Sequence, residues 1–332
     1  MIFVTGGTGF LGHHLVAMLC RTGYSLKVLT RNPARNCWLQ RYPCVEIVPG
    51  DFSDLDTLAH AMDGCQHVIH AGGLFRFWGN EERFLHANTL GTKNMLEAAA
   101  QVGIERFVHI STVAVIGQPD PTNVIDETYP PHPVDPYQRS KFQAEQMALK
   151  YHAEGKVPVT VLRPGAYYGP LGEYGFNRLF FRDPMRGIIM QISGGKHIIF
   201  PAYIVDVARG VLQALDKAHT GEIYHITGDW ISHKEAFDIV CEEANLHWPR
   251  ARIPGWLGIN TARFLEMIAY ITHREPFWPI NMRSYVYNDW RVSNQKARRE
   301  LGFEPTSFRD GARRTIAWYR AGKPQDIPEI AL

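Results

Sequence analysis

The chain has 332 residues, enough for one large or two modest domains, each with a full core. Apolar residues make up 45 %, the composition of a globular protein. With 35 Lys and Arg against 33 Asp and Glu the net charge is +2, so no nucleic-acid partner is implied.

The first element is a short apolar run, Ile2–Thr5, which reads as a buried strand. Glycines spaced G-x-x-G-x-x-G follow at Gly6, Gly9 and Gly12, and then a helical pattern over Leu11–Arg21 with Leu15, Val16, Leu19 and Cys20 on one face. Strand, glycine turn and helix form the setting a dinucleotide pyrophosphate needs. Glycines let the backbone approach the phosphates. The helix start at Phe10 and Leu11 supplies free N–H groups and a partial positive charge.

Further strands are expected at Leu26–Thr30, Val45–Val48, His67–Ala71, Phe107–Ser111 and Val159–Leu162. Helices are expected near Asp54–Met62, Phe84–Val102 and Pro136–His152. Continuous apolar strands alternating with helices predict an α/β fold, a doubly wound parallel Rossmann sheet with ligands at the C-terminal strand ends. The dinucleotide-binding domain is set at 1–165, with a return segment near 198–226. A smaller, mostly helical substrate-binding domain takes 166–332.

The second strand ends Thr30-Arg31-Asn32-Pro33-Ala34-Arg35. About 20 residues past the glycines, an acidic residue would hold the ribose 2′-OH of NAD. Arg31 and Arg35 stand there instead, and a guanidinium suits a 2′-phosphate. NADP is therefore the expected cofactor, with NAD as the alternative. Asp51 and Phe52 follow the third strand. Asp51 reads either as an acceptor for the adenine amine or as a turn aspartate capping the next helix. Ala71 and Gly72 end the fourth strand with the small side chains that close cofactor approach requires. Phe75, Phe77 and Trp78 then either line a substrate pocket or pack under a flap.

Two places carry chemistry. Ser111-Thr112 puts hydroxyls at the edge of the sheet. Asp135-Pro136-Tyr137-Gln138-Arg139-Ser140-Lys141 opens a helix, with Asp135 as N-cap and Pro136 at the first position. Tyr137 and Lys141 are four apart and share a helix face. Bringing a tyrosine from its usual value of about 10 to about 7 takes roughly 4 kcal/mol. A lysine cation, a nicotinamide charge and a helix N-terminus all act in that direction.

Thr5–Gly12, Ser111-Thr112, Tyr137–Lys141 and Leu162-Arg163-Pro164-Gly165-Ala166-Tyr167-Tyr168-Gly169-Pro170 together resemble the extended short-chain dehydrogenase/reductase family, the NAD-dependent epimerase/dehydratase superfamily. Ser293–Phe303 and Ile316-Ala317-Trp318-Tyr319 extend the resemblance to nearly the whole chain. It implies a catalytic triad of Thr112, Tyr137 and Lys141, with Asn88 near the nicotinamide and Pro164 at the cofactor. It also implies a homodimer through the helices near Phe84–Val102 and Pro136–His152. Sugar-nucleotide dehydratases of the family carry Asp-Glu after the Ser/Thr. Here Val113 and Ala114 occupy those positions, so dehydration is not expected. The pattern is closest to 3β-hydroxysteroid dehydrogenases and dihydroflavonol reductases. These imply hydride transfer between NADP(H) and a secondary alcohol or ketone on a largely apolar small molecule. A nucleotide-sugar epimerase with tightly bound NAD is the alternative, and a non-catalytic dinucleotide sensor the third reading.

In the second half, Ser232–Glu235 and Ser307–Asp310 resemble capping boxes, and Gly302 and Gly322 stand where C-cap glycines would. Over 253–273, Trp256, Leu257, Phe264, Leu265, Met267, Ile268 and Ile271 recur at helical spacing. Core packing is the first reading, before an apolar lid or a membrane-surface contact. No apolar stretch approaches the roughly 20 residues of a membrane span, and the first strand begins at residue 2, so a soluble cytoplasmic protein is expected. Cys20, Cys37, Cys44, Cys65 and Cys241 contain no C-x-x-C pair. They read as free, mostly buried thiols, and no metal site is expected.

Overall fold

The computed structural model describes residues 1–247 and 249–325. Seven parallel strands form the central sheet: β1 (Ile2–Thr5), β2 (Leu26–Thr30), β3 (Val45–Pro49), β4 (His67–His70), β5 (Arg106–Ile110), β6 (Val159–Pro164) and β7 (Ile223–Ile226). Their order is β7-β6-β5-β4-β1-β2-β3. The chain therefore reverses direction across the sheet at β1 and β4, and this reversal opens a crevice at their C-terminal ends.

Side chains alternate across the sheet as strand geometry requires. Ile2 and Val4 face a core shared with α1 (Phe10–Arg21) and α5 (Ile204–Lys217). Phe3 faces the opposite core, built with α2 (Leu55–Met62), α3 (Gly91–Val102) and α4 (Pro136–Ala153). Two covered faces explain why the strands read as continuous apolar runs rather than alternating ones. Asp135 caps α4, accepting from the Gln138 N–H at 2.8 Å, and Pro136 occupies the first helical position. Ahead of α3, the helix Glu81–Phe84 runs through a π turn, Leu85–Leu90, which carries Asn88.

After β6 the chain leaves the sheet and comes back through α5 and β7. The excursions contain α6 (His233–Glu243), α7 (Gly255–Thr272), α8 (Gln295–Leu301) and α9 (Phe308–Arg320). Three two-strand pieces join them: Ala166–Tyr168 with Pro201–Tyr203, Ile198–Ile199 with Ile231–Ser232, and Met190–Ile192 with Ala251–Ile253. Ser232 and Ser307 cap α6 and α9 through the N–H groups of Glu235 and Asp310. Gly302 ends α8 at φ +72°.

Two expectations are corrected. Cys20 and Cys44 are not free thiols but form a disulfide, with Cα atoms 6.0 Å apart. The last turn of α1 and the start of β3 flank β2, a proximity made by the sheet order rather than by any sequence spacing. Cys37 is exposed; Cys65 and Cys241 are buried thiols. Most of the large apolar residues of 253–273 are not core either. In α7 Gly258, Ala262 and Ala269 are buried and Leu265 packs half-buried against the cluster of Ile192, Trp278 and Val286, whereas Trp256, Leu257, Phe264, Met267, Ile268 and Ile271 face outward.

Candidate active site

The glycine turn is tight for reasons local to it. Gly6 has φ +71°, and a Cβ there would lie 2.5 Å from the Ala71 carbonyl. A Cβ on Gly12 would lie 2.1 Å from the Gly6 oxygen, so only glycine lets α1 start this close to β1. Gly9 differs: a Cβ there would meet nothing nearer than the Gly6 oxygen at 3.2 Å, because that side opens on the crevice. No side chain caps α1. Its first turn, Phe10, Leu11 and Gly12, thus presents N–H groups to the crevice, an arrangement that fits a pyrophosphate.

A cavity of about 440 Å³ extends from this turn along the sheet edge. Its walls bring together most of the expected residues: Gly6, Gly9 to Gly12, Ala71, Gly72, Asn88, Thr112, Tyr137, Lys141 and Pro164. Arg31, Arg35, Asp51 and Phe52 lie off the cavity, past the ends of β2 and β3. Arg31 is 80 % exposed and 3.9 Å from Asp51. Asp51 also accepts from the Ser53 N–H at 3.0 Å within the turn, while Asp54 and not Asp51 stands at the N-cap of α2. Phe52 packs inward: Gly72 and Gly91 have no room for a Cβ against its ring, and His70 meets it edge-on.

Behind the cofactor side stands a buried polar chain. Thr92 donates to the Asn88 carbonyl (2.6 Å), so it receives the Nε2–H of His70 (3.0 Å). His70 Nδ1 then accepts from Thr5 (2.7 Å), whose oxygen accepts the Gly72 N–H (3.1 Å). Burial pushes His70 down to about 3, so the ring is neutral and the tautomer is fixed by its neighbours.

At the reacting end, Tyr137 sits in the first turn of α4 with the Phe75 ring 4.8 Å away. Lys141, one turn on, is buried and donates to the Ile110 carbonyl at 2.6 Å. Burial lowers Lys141 to about 8, against a raising effect of Glu145. Ser111, also on the cavity wall, donates its hydroxyl to Glu145 at 2.6 Å. Glu145 in turn holds Arg163 in a fully buried ion pair, with Arg163 Nε 3.0 Å from its carboxylate. This unit ties the ends of β5 and β6 to α4 and so fixes where Tyr137 and Lys141 stand. The motif that contains Arg163 names no partner for it and Glu145 lies in no motif, so only packing shows that the two meet.

The family model for the NAD dependent epimerase/dehydratase family matches residues 2–227. The chain belongs to this family. Among relatives, a dihydroflavonol 4-reductase-like protein of Synechocystis sp. is 30 % identical over 329 residues, covering 96 % of this chain and 94 % of its own. The 4-hydroxy-2-methyl-3-oxo-4-farnesyl-3,4-dihydroquinoline-1-oxide ketoreductase of Stigmatella aurantiaca is 30 % identical over 315 residues, covering 91 % of each. Among solved structures, the dTDP-glucose 4,6-dehydratase DesIV of Streptomyces venezuelae, a double mutant with NAD bound, superposes with a TM-score of 0.79. That pair is 26 % identical over 96 % of this chain and 97 % of that one. This epimerase/dehydratase-family member is accordingly an NAD(P)-dependent enzyme of the short-chain dehydrogenase/reductase type.

The geometry adds detail at two of the expected site residues. Tyr137 is not lowered toward 7 by this family member's own groups. Enclosure in the cavity raises it above its ordinary value, against the lowering effect of a Thr112 hydrogen bond, with Asp135 raising it further. Lys141 turns its ammonium to the Ile110 carbonyl, which leaves burial to dominate. Asn88 has both side-chain N–H groups in use, on the Leu74 carbonyl (3.1 Å) and Ser140 Oγ (2.9 Å), while its oxygen accepts from the Leu74 N–H (2.7 Å). It clamps the loop after β4 to α4, which is a positioning task.

The wall beyond Tyr137 is built mostly from residues the motifs did not mark. Phe176, Phe180, Ile199, Phe200, Met282 and Tyr285 wall the cavity beside Phe75 and Phe77. His233, in the first turn of α6, is a polar exception. Its Nε2 is buried without a hydrogen-bond partner, and burial lowers it to about 3. Its capping-box position was visible in the sequence, but its place at the cavity was not.

Proposed function

We propose that this family member is an NADP(H)-dependent oxidoreductase acting on a secondary alcohol or ketone of a largely apolar small molecule, steroid-, flavonoid- or terpenoid-like. The observation that carries this reading is the makeup of the cavity beyond Tyr137, where aromatic and aliphatic side chains form the walls. Of the cations a nucleotide diphosphate could use, Arg178, Arg182, Arg186 and Lys196 lie off the cavity walls, and Arg76, which does line them, stands 3.9 Å from Glu275 and 4.8 Å from the centre of the Tyr174 ring. Arg178 and Arg182 are both held by Asp183 at 3.3 Å. Apolar contact yields about 25 cal/mol per Å² buried, enough to hold a ring system without a charge contact. The name of the Stigmatella relative, a ketoreductase of a farnesylated quinoline, agrees with such a substrate.

The cofactor supplies hydride exchange at the nicotinamide. The rest falls to the chain. Thr112 holds the substrate oxygen and hydrogen-bonds to Tyr137. Tyr137 moves the proton, and its raised value keeps it a neutral phenol at pH 7, the form that donates to a ketone. Lys141 holds the ribose side and supplies charge when protonated. Arg31 and Arg35, exposed past the end of β2 with no carboxylate replacing them there, favour a 2′-phosphate. His233 offers one hydrogen bond to a polar group on the substrate. A homodimer through α3 and α4 belongs to the same reading.

Competition tests this. UDP-sugars and a panel of steroid, flavonoid and terpenoid alcohols and ketones are added while NADPH absorbance and thermal shift are followed. Turnover or stabilisation within the apolar panel is expected. Saturable stabilisation by a UDP-sugar, with none from that panel, would put the nucleotide-sugar epimerase first.

A further inference from the structure

α7 (Gly255–Thr272) is built the wrong way round for a helix of a globular core. Gly258, Ala262 and Ala269 face the protein. Trp256, Phe264, Met267, Tyr270 and Ile271 keep 61–81 % of their surface exposed, and Leu257, Ile268 and Phe277 extend the same apolar surface. A surface helix ordinarily turns its large apolar residues inward. An exposed patch of this kind marks an interaction site.

The charges around the patch say what it meets. Arg252, Arg263 and Arg274 are exposed, and none has a carboxylate partner among the described residues. The carboxylates of the same stretch point elsewhere. Glu266 accepts from the Ile280 N–H at 3.0 Å, and Glu275 is engaged by the Tyr174 hydroxyl and, at 3.9 Å, by Arg76. An apolar face edged by unpaired arginines, with Trp and Tyr among its side chains, has the makeup of a helix lying in a membrane interface. A second copy fits less well. Arg263 stands at the middle of α7, so antiparallel pairing of two such helices about a two-fold axis would bring two guanidiniums together in a dry contact. No helix among the described residues is long and apolar enough to cross a membrane.

We propose that α7 docks flat on an anionic lipid bilayer, its Trp256–Ile271 face entering the headgroup–acyl boundary and Arg252, Arg263 and Arg274 meeting lipid phosphates. The placement has a consequence for access. The Tyr270 ring lies 6.3 Å from Trp78, whose neighbour Phe77 walls the cavity, so docking sets the Phe75–Trp78 loop against the lipid. The docking does not rest on the substrate reading, because it is measured without substrate.

The experiment is flotation of the full chain with vesicles of phosphatidylcholine alone and of phosphatidylcholine mixed with phosphatidylglycerol, at low and high salt. Association with the phosphatidylglycerol vesicles, weakened by salt, is expected. The double variant Met267→Asp, Ile271→Asp should lower the partition coefficient more than about tenfold. Arg263→Gln should lower it about fivefold on anionic vesicles only. Melting temperature should stay unchanged in all variants, since these side chains meet solvent. Absence of wild-type association at low salt overturns the proposal, as does equal association of wild type and the double variant. Sedimentation velocity covers the other occupant: a wild-type dimer that the double variant converts to monomer assigns the face to a second copy instead.

Discussion

The two sides of the cavity are made by different means. The cofactor side is backbone: Gly6, Gly9 and Gly12 within one turn, Ala71 and Gly72 at the next strand, and the open N–H groups of α1. The opposite side, proposed for the substrate, is side chain: Phe75, Phe176, Phe180, Phe200, Met282 and Tyr285, drawn from segments more than 200 residues apart in the chain. At Gly6 and Gly12 such a site tolerates little, because an added methyl meets other backbone that cannot move aside. A side-chain site tolerates more, because neighbours repack. Tyr137 and Lys141 sit where the two meet, and α4 holds both through Asp135 at its cap and Glu145 at its middle.

The sharpest break should come at that junction. Tyr137→Phe removes only the hydroxyl that moves the proton. Turnover should fall at least about 100-fold, as for other general acid–base groups, with cofactor affinity nearly unchanged. Steady-state kinetics and cofactor titration read the two separately, and wild-type turnover on any established substrate would refute the mechanism.

Acid should unfold both sides together. His14, His70, His225 and His233 are neutral in the fold, lowered by burial to between about 3 and 4. On unfolding they regain the usual value near 6.5, so below that pH the unfolded chain binds more protons. Stability is therefore present above pH 6.5 and is lost as pH falls from there toward 3, by about 1.4 kcal/mol per pH unit for each histidine. Melting temperature against pH should drop steeply below 6.5; a flat profile between 6.5 and 5 would mean that these rings are charged in the fold.

Gly12→Ala tests the backbone side. The new Cβ has 2.1 Å to the Gly6 oxygen, and the helix must move. A loss of roughly 1–3 kcal/mol in stability is expected, together with weakened dinucleotide binding. Phe176→Leu, on the side-chain wall, should leave cofactor affinity alone and change substrate KM. Similar effects of both on the cofactor would dissolve the contrast between the sides.

Arg31→Asp should move preference from NADPH toward NADH. Arg31 is largely exposed, so the lower end of a charged hydrogen bond applies, about 1.5 kcal/mol. Dissociation constants of both cofactors decide it, and a wild type that binds NADH as tightly as NADPH removes the assignment before any mutation.

The smallest effect concerns Lys141. It is lowered to about 8, so its ammonium is lost as pH rises through that value. Support for the cofactor ribose should weaken above pH 8, seen as a falling limb in kcat/KM. Lys141→Arg, which stays charged, should flatten the limb even if it lowers the plateau; a limb unmoved by the change belongs to another group.

Strands β1 to β6, the helices between them and the glycine turn were legible in the amino-acid order, because each depends on neighbours in sequence: apolar runs buried on both faces, glycines at fixed offsets, an aspartate and a proline opening α4. The shared helix face of Tyr137 and Lys141 was legible for the same reason, while Thr112 as their partner came from the family resemblance. The tertiary structure decided the rest. It joined Cys20 to Cys44 by laying α1 and β3 on either side of β2. It spent the amide of Asn88 on a loop and gave Glu145 and Arg163 to each other. It also chose which face of α7 to bury. Helical spacing shows that Trp256, Phe264, Met267 and Ile271 share one side, but a period carries no direction. Inward or outward is settled by what packs against Gly258, Ala262 and Ala269, and that contact is long-range.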